Sequence, residues 1–307
     1  MKHFIDIKDL SDEELLSLLN LADQLKADLK AGKQNHALQN KVLAMIFAKS
    51  STRTRISFEV GMLQLGGHAI YLNAQDIQLG RGESVADTAR VLSRFVDAIM
   101  IRTYAHQDVL DLATYSSIPV INGLSDLMHP CQVLADLMTI REHKGRLKGL
   151  KLAYLGDGNN VANSLLQACA RVGMDIAVAT PPGYSCDPDC IKDAKKEAAR
   201  HGSSVILTTD PFEAANQADV LYTDTWVSMG QEAEKQERIN IFSPYQVNDN
   251  ILSVARKDVI FLHCLPAYRG LEVTSSVIDG PASVVFDEAE NRLHAQKAIL
   301  LQLLGTP

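Results

Sequence analysis

Apolar residues along the chain fall into short runs, each followed by a turn rich in glycine, hydroxyl or amide side chains and then by an apolar pattern of helical period. The runs at 42–48, 68–72, 98–101 and 119–122 predict four strands in the first half. Those at 151–155, 175–180, 204–207, 220–223, 259–262 and 283–286 predict six more in the second. Between them lie amphipathic stretches. Ser11 with Glu13 and Glu14 opens a helix whose apolar stripe, Leu15, Leu18, Leu19, Ala22 and Leu25, runs to about Lys30. Ile56, Val60, Leu63 and Leu65 are spaced for one face of a helix closed by Gly66 and Gly67. Val85, Thr88, Ala89, Leu92 and Phe95 mark the next, and Val133, Leu134, Leu137, Met138 and Ile140 a long helix behind Pro130. Helix 161–172 follows, and 288–304 closes the chain with Arg292 in its first turn. Strands alternating with helices predict α/β domains with parallel sheets. At 307 residues the chain suits two of them, divided after the basic helix end Arg141 to Arg146 into 1–145 and 146–287.

The stretch 49–59 carries the densest chemistry. Ser51, Thr52, Arg53 and Thr54 stand where the first strand passes into a helix. A helix N-terminus leaves backbone N–H groups without intrahelical partners and carries the positive end of the dipole, so hydroxyls and an arginine added there suit a phosphate dianion. The same residues would also serve as a plain helix cap with solvated arginines. Arg102 ends the third strand, facing the side of an open sheet where ligands bind, and His129 with Gln132 opens the helix after the fourth. The polar loop 73–84, containing Gln78, is long enough to be functional or a simple surface connection.

In the second half, Gly156-Asp157-Gly158-Asn159-Asn160 follows a strand as a dinucleotide fingerprint would. Position 161 is valine where the third glycine belongs, and the next strand ends in Thr180-Pro181-Pro182 with no acid for a ribose, so a nicotinamide cofactor is not expected. The strand end still points Asn159 and Asn160 at the crevice. Asp224 ends another strand before the loop Ser228-Met229-Gly230, which suits a cationic amine, or caps the turn. Cys264 follows a further strand, as a site thiol or a core residue.

Net charge narrows the partners. At −7 the chain is a poor non-specific ligand for nucleic acid or an anionic membrane, and any anion site is a local basic cluster. No apolar run reaches membrane-spanning length. Five cysteines without paired spacing favour reduced thiols and a cytoplasmic setting; Cys186 and Cys190 lack a second ligand pair, so no zinc site is expected. A Walker lysine and an acid cluster for Mg²⁺ are both missing, which argues against a kinase.

The segments Ser51-Thr52-Arg53-Thr54-Arg55, His129-Pro130-Cys131-Gln132, Asp157-Gly158-Asn159-Asn160, Asp224-Thr225-Trp226, Ser228-Met229-Gly230, His263-Cys264-Leu265-Pro266 and Glu290-Asn291-Arg292 together resemble the aspartate/ornithine carbamoyltransferase superfamily, and the last Ser-Met-Gly and His-Cys-Leu-Pro pieces resemble its ornithine branch. No lysine stands in 73–84 and no Pro-Leu-Pro follows His263, as an aspartate enzyme would require; Ala48 departs from the glutamate common at that position. The resemblance implies two doubly wound α/β domains joined by interdomain helices, the first binding carbamoyl phosphate with 288–307 packed back on it, the second binding ornithine. It implies that Ser51, Thr52, Arg53, Thr54, Arg102, His129, Gln132, Cys264, Leu265 and Arg292 hold carbamoyl phosphate, with Gln78 entering from a neighbouring subunit of a homotrimer or a multiple of trimers. Asn160, Asp224, Ser228 and Met229 would hold L-ornithine, and Arg102, His129, Asp224, Cys264 and Arg292 would be catalytic. No metal or organic cofactor is implied. A carbamoyltransferase for another amine such as putrescine, and a non-catalytic anion-binding homologue, are the alternatives.

Arg53→Ala is expected to weaken carbamoyl phosphate binding by roughly 1.5–3 kcal/mol, the worth of a charge-assisted hydrogen bond. Equilibrium titration checks this, and an affinity within twofold of the parent chain contradicts it.

Overall fold

The computed structural model describes residues 1–78, 82–227 and 232–305. It divides into two compact units, one comprising Met1–Met138 and Glu290–Pro307, the other Thr139–Ala289.

In the first unit the order is α1 (Asp12–Lys30), β1 (Val42–Phe47), α2 (Thr52–Gln64), β2 (His68–Asn73), α3 (Val85–Leu92), β3 (Ala98–Arg102), α4 (His106–Tyr115) and β4 (Val120–Leu124). The strands form one parallel sheet in the order β2-β1-β3-β4. The chain start protects an edge: Phe4 N–H donates to the Val120 carbonyl, Asn122 N–H donates back to Phe4, and the Asn122 amide reaches the Ile5 carbonyl. The predicted capping box of α1 forms, with Ser11 Oγ accepting from Glu14 N–H and the Glu14 carboxylate accepting from Ser11 N–H.

Helices α5 (Pro130–Lys144) and α12 (Val285–Leu304) run across the two boundaries between the units. The second unit continues with β5 (Lys151–Leu155), α6 (Asn160–Arg171), β6 (Asp175–Ala179), α7 (Pro188–His201), β7 (Val205–Thr208), α8 (Pro211–Ala215), β8 (Val220–Thr223), α9 (Lys235–Phe242), α10 (Asp249–Val254), β9 (Ile260–Leu262) and α11 (Ser275–Ile278). Its parallel sheet has the order β7-β6-β5-β8-β9. Each unit is therefore an α/β domain built on a central parallel sheet, and the β5, β6 and β8 residues Ala153, Leu155, Ala177, Ala179 and Leu221 are buried in the core of the second.

Three expectations need correction. Residues 283–286 do not form a strand: Ser283 makes a single bridge to Phe261, and Val285 already opens α12. The three-residue β9 offers too little edge to extend the pairing, and Asp287 and Glu288 in the first turn favour the helix. Arg292 consequently lies two turns into α12 rather than in its first. On α2 the helical spacing holds, and the face that turns inward is the other one. Ile56 and Leu63 are exposed, while Thr54, Phe58, Gly61 and Met62 are buried. A Cβ at Gly61 would lie 3.4 Å from Lys297 Cγ and 3.7 Å from Leu293 Cδ1, so the small residue marks the side that packs against α12. On α3, likewise, Thr88 and Ala89 are buried but Phe95, just beyond the helix, is exposed.

Candidate active site

In the first sheet the chain order reverses between β1 and β3, and in the second between β5 and β8. At such a switch point the loops leaving neighbouring strands turn to opposite sides and open a crevice at the carboxyl ends. Residues 48–54 and Arg102 leave β1 and β3; Asn159, Asn160 and Asp224 leave β5 and β8. His129 follows β4 and Cys264 follows β9, the next strands along.

Each half-site is built locally. Ser51 is the N-cap of α2, with φ −162° and ψ 118°, and its Oγ accepts from Thr54 N–H at 3.2 Å. The cap reading holds at Ser51, and the cap arranges the turn that carries Thr52, Arg53 and Thr54. Thr52 is exposed and Arg53 half-buried on that turn, and Thr54 is buried. The Arg102 carbonyl accepts from Ala48 N–H at 2.8 Å and Lys49 N–H at 3.4 Å, which ties the loop after β1 to the end of β3. Lys49, buried and unremarked in the sequence, pairs with Asp126 at 2.5 Å and lies 4.3 Å from the centre of the Tyr104 ring.

Arg292 enters this unit from α12. Its Nη1 donates to Gln132 Oε1 at 2.6 Å and its Nη2 to Thr54 Oγ1 at 3.3 Å. Gln132 in turn donates Nε2–H to Asp136 at 2.9 Å. Its carbonyl oxygen thus faces Arg292, and Gln132 holds the guanidinium in place. His129 is buried just before α5, and burial followed by the charges of Arg292, Arg102 and Arg53 pushes its pKa well below the ordinary imidazole value. It is a neutral imidazole among three cations. The Gln78 side chain is exposed, and among the described residues nothing joins it to this half-site.

In the second unit Asp224 is buried at the end of β8. Its Oδ1 accepts from Thr225 N–H at 2.7 Å and from the Cys264 thiol at 3.0 Å, and its Oδ2 accepts from Asn159 Nδ2 at 2.7 Å. Cys264 is half-buried, and its thiol bonds a carboxylate instead of packing in the core. Asn160 is the first residue of α6 and half-buried, its carbonyl accepting from Ser164 Oγ at 2.9 Å. Leu265 has φ +56°, precedes a cis Pro266, and donates its N–H to His263 Nδ1 at 2.9 Å. Ser228 and Met229 lie outside the described residues.

Ligand atoms of Asp224, His263 and Cys264 lie within 4.8 Å of one another, a donor set of the kind that suits zinc. His263 Nδ1, however, accepts the Leu265 N–H, and Nε2 stands 3.3 Å from the buried Glu272 carboxylate. The imidazole braces the loop after β9.

Arg238 of this half-site escaped the sequence reading, and so did the contact that Asn159 makes. Asn159 caps α6 and touches Asp224. Arg238, buried on α9, bonds the Trp226 carbonyl at 2.5 Å and the Asp157 carboxylate, and lies 4.9 and 5.2 Å from the centres of the Phe242 and Tyr184 rings. It fastens the stem of the loop carrying Ser228 to the turn carrying Asn160. Its place on a short polar helix gave no signal; Asn159 did give one, as the cap position before an apolar run.

A cluster of cations thus stands at the switch point of the first sheet, and a buried carboxylate bonded to a thiol at that of the second. Residues 2–142 match the family model for the carbamoyl-P binding domain of aspartate/ornithine carbamoyltransferases, and 148–303 match the model for its Asp/Orn binding domain. The ornithine carbamoyltransferase of Carboxydothermus hydrogenoformans is 60% identical over 304 residues, covering 99% of this chain and 98% of that one. The ornithine carbamoyltransferase structure from Pyrococcus furiosus superimposes with a TM-score of 0.96 at 58% identity, covering 99% of this chain and 97% of that one. That from Giardia lamblia gives 0.89 at 37% identity, covering 99% and 98%. The chain belongs to the aspartate/ornithine carbamoyltransferase family.

The depressed pKa of His129 has a measurable sign. Unfolded histidine titrates near 6.5. The unfolded chain therefore binds a proton below that pH which the folded imidazole does not yet accept, and His129 takes stability away as pH falls below about 6.5. In an NMR titration the His129 midpoint is expected below that of an unperturbed histidine, near 6.5; a midpoint at or above that value contradicts its placement among the arginines.

Proposed function

We propose that the chain transfers the carbamoyl group of carbamoyl phosphate to the δ-amine of L-ornithine, giving L-citrulline and phosphate. The observation that carries this reading is the neutral His129 surrounded by Arg53, Arg102 and Arg292. Three cations around one uncharged donor suit a dianion joined to a neutral carbonyl. In this reading Ser51, Thr52, Arg53 and Thr54 grip the phosphate at the N-terminus of α2, and Arg102 spans phosphate and carbonyl oxygen. Arg292 and His129 act on the carbonyl side, with Gln132 positioning Arg292.

The amine attacks in its neutral form. A free alkylamine with a pKa near 10.4 is only about 0.04% neutral at pH 7. Cations at the phosphate half-site favour loss of the amine's proton, while Asp224 and the Cys264 thiol orient the nitrogen. A bond forms from the δ-nitrogen to the carbonyl carbon, and the oxygen of the tetrahedral intermediate is stabilised by Arg102, His129 and Arg292. The bond to the phosphate oxygen then breaks, and the departing phosphate takes the proton. Rate is gained by positioning and by stabilising the oxyanion, without a covalent enzyme intermediate. Asn160, Ser228 and Met229 hold the α-amino and carboxylate groups of ornithine, and Leu265 lines the carbamoyl side.

The working unit in this reading is a homotrimer, or a multiple of trimers, in which Gln78 completes a neighbour's site. In keeping with this, the first unit exposes several large apolar side chains, Phe95 at 75% and Leu63 at 70%, with Ile56, Ile70 and Val91 also exposed. Among the described residues no helix is long and apolar enough to cross a membrane. We place the protein in the cytoplasm, in keeping with five cysteines that are all free thiols.

Incubation with carbamoyl phosphate is expected to yield citrulline from ornithine and far less product from putrescine, which lacks the carboxylate. Absence of citrulline overturns the reading. Asp224→Asn is expected to raise the ornithine KM at least tenfold while the carbamoyl phosphate KM stays within twofold; the reverse pattern removes Asp224 from the amine.

Site sharing is checked by mixing two inactive variants, Gln78→Ala and Arg102→Ala. Hybrid trimers are expected to recover activity, because some interfaces then carry both lesions and others neither. Hybrids verified by mass that stay inactive contradict a shared site.

A further inference from the structure

The amide of Asn159 admits only one orientation. Its oxygen accepts from Val161 N–H at 3.0 Å and Ala162 N–H at 3.2 Å, the first free donors of α6, and the Tyr154 hydroxyl lies 3.3 Å away. Backbone N–H groups need an acceptor, so the oxygen faces the helix and the NH₂ group faces outward. Outward lies Asp224 Oδ2, at 2.7 Å. Tyr154 is fully buried, and burial together with Asp224 and Asp157 raises its pKa well above the usual phenol value, so it stays a neutral donor. The orientation of one side chain is thus fixed from both ends.

An ionised carboxylate offers about four acceptor positions. Among the described residues, Thr225 N–H and the Cys264 thiol occupy both on Oδ1, and Asn159 occupies one on Oδ2. A single position on Oδ2 remains. A carboxylate with several open positions would accept an amine in many rotations about its C–N bond. One with a single open position accepts one N–H, which sets where the nitrogen lone pair points. We propose that Asn159 is a positioning residue: by filling one lone pair of Asp224 Oδ2, it leaves the carboxylate one acceptor position for the δ-amine of ornithine. This rests on Asp224 receiving that amine, as proposed above. It assigns Asn159 a part in selecting and aiming the nucleophile, beyond its cap of α6.

Serine and aspartate cap helices about as well as asparagine, but neither donates an amide N–H to Asp224. Asn159→Ser is too short to reach the carboxylate, and Asn159→Asp retains the acceptor for Val161 and Ala162 while turning a second carboxylate towards Asp224. A hydrogen bond to a charged group is worth about tenfold to a hundredfold in a binding constant. Both variants are therefore expected to raise the ornithine KM at least tenfold and to lower kcat, with the carbamoyl phosphate KM within twofold and the melting temperature little changed. A cap role alone predicts parental ornithine KM and kcat in both. Should Asn159→Ser melt early, Asn159→Asp carries the decision. Asp224→Asn, measured alongside, separates the two claims. If it loses ornithine while folded Asn159 variants behave like the parent, the inference is overturned alone. If Asp224→Asn leaves the ornithine KM unchanged, the assignment of Asp224 itself is overturned.

Discussion

Three guanidinium groups around one imidazole repel each other, and the first unit is organised to hold them there. Arg292 is fixed by the carbonyl oxygen of Gln132 and the hydroxyl of Thr54, and Gln132 is fixed by Asp136. Lys49, a buried cation in the loop after β1, is paired with Asp126. Protonating His129 would add one more positive charge, so the cluster keeps it neutral. In the reading proposed above, the field that remains is matched by a phosphate-bearing ligand, which is how a chain of net charge −7 would present a local anion site.

The second unit solves the opposite problem. Asp224 is a buried carboxylate, and it is kept hydrated in effect by protein donors: a backbone N–H, a thiol and an amide. These donors come from three different loops, after β5, β8 and β9, so the geometry of the acid depends on the register of the sheet. Glu288 reinforces it from α12, accepting from the Tyr222 hydroxyl at 3.1 Å and from His263 N–H at 2.8 Å. The loop bearing Cys264 is thereby pinned to a helix whose later residue Arg292 serves the other unit's cations.

The division of labour between units follows from chemistry. Carbamoyl phosphate needs cations and the ornithine amine needs an anion, and the two neutralise each other if they share one wall. Building each half-site at the switch point of its own sheet keeps opposite charges on separate scaffolds, each with its own supporting hydrogen bonds.

The residues that touch ligand chemistry were legible in the chain because they follow strands, and strands were legible from apolar runs; nine of the ten runs became strands among the described residues. The phosphate turn stood out because Ser51 to Thr54 combine cap and charge in one short segment. Helices α4 and α7 passed unnoticed, although α7 has Asp187 as cap, Pro188 in its first turn and Gly202 in the left-handed region at its end. What the sequence left open was which face of a helix turns inward. Both Ile56-Val60-Leu63 and Thr54-Phe58-Gly61 repeat with helical spacing on α2, and only the position of α12 decides between them. The positioning residues were hidden for a related reason. Asn159 meets Asp224 across 65 positions, and Arg292 meets Gln132 across 160. Residue type and local spacing determined which groups carry charge or donate hydrogen bonds; the tertiary structure alone decided which pairs share a lone pair, because contacts between distant positions leave no local periodicity.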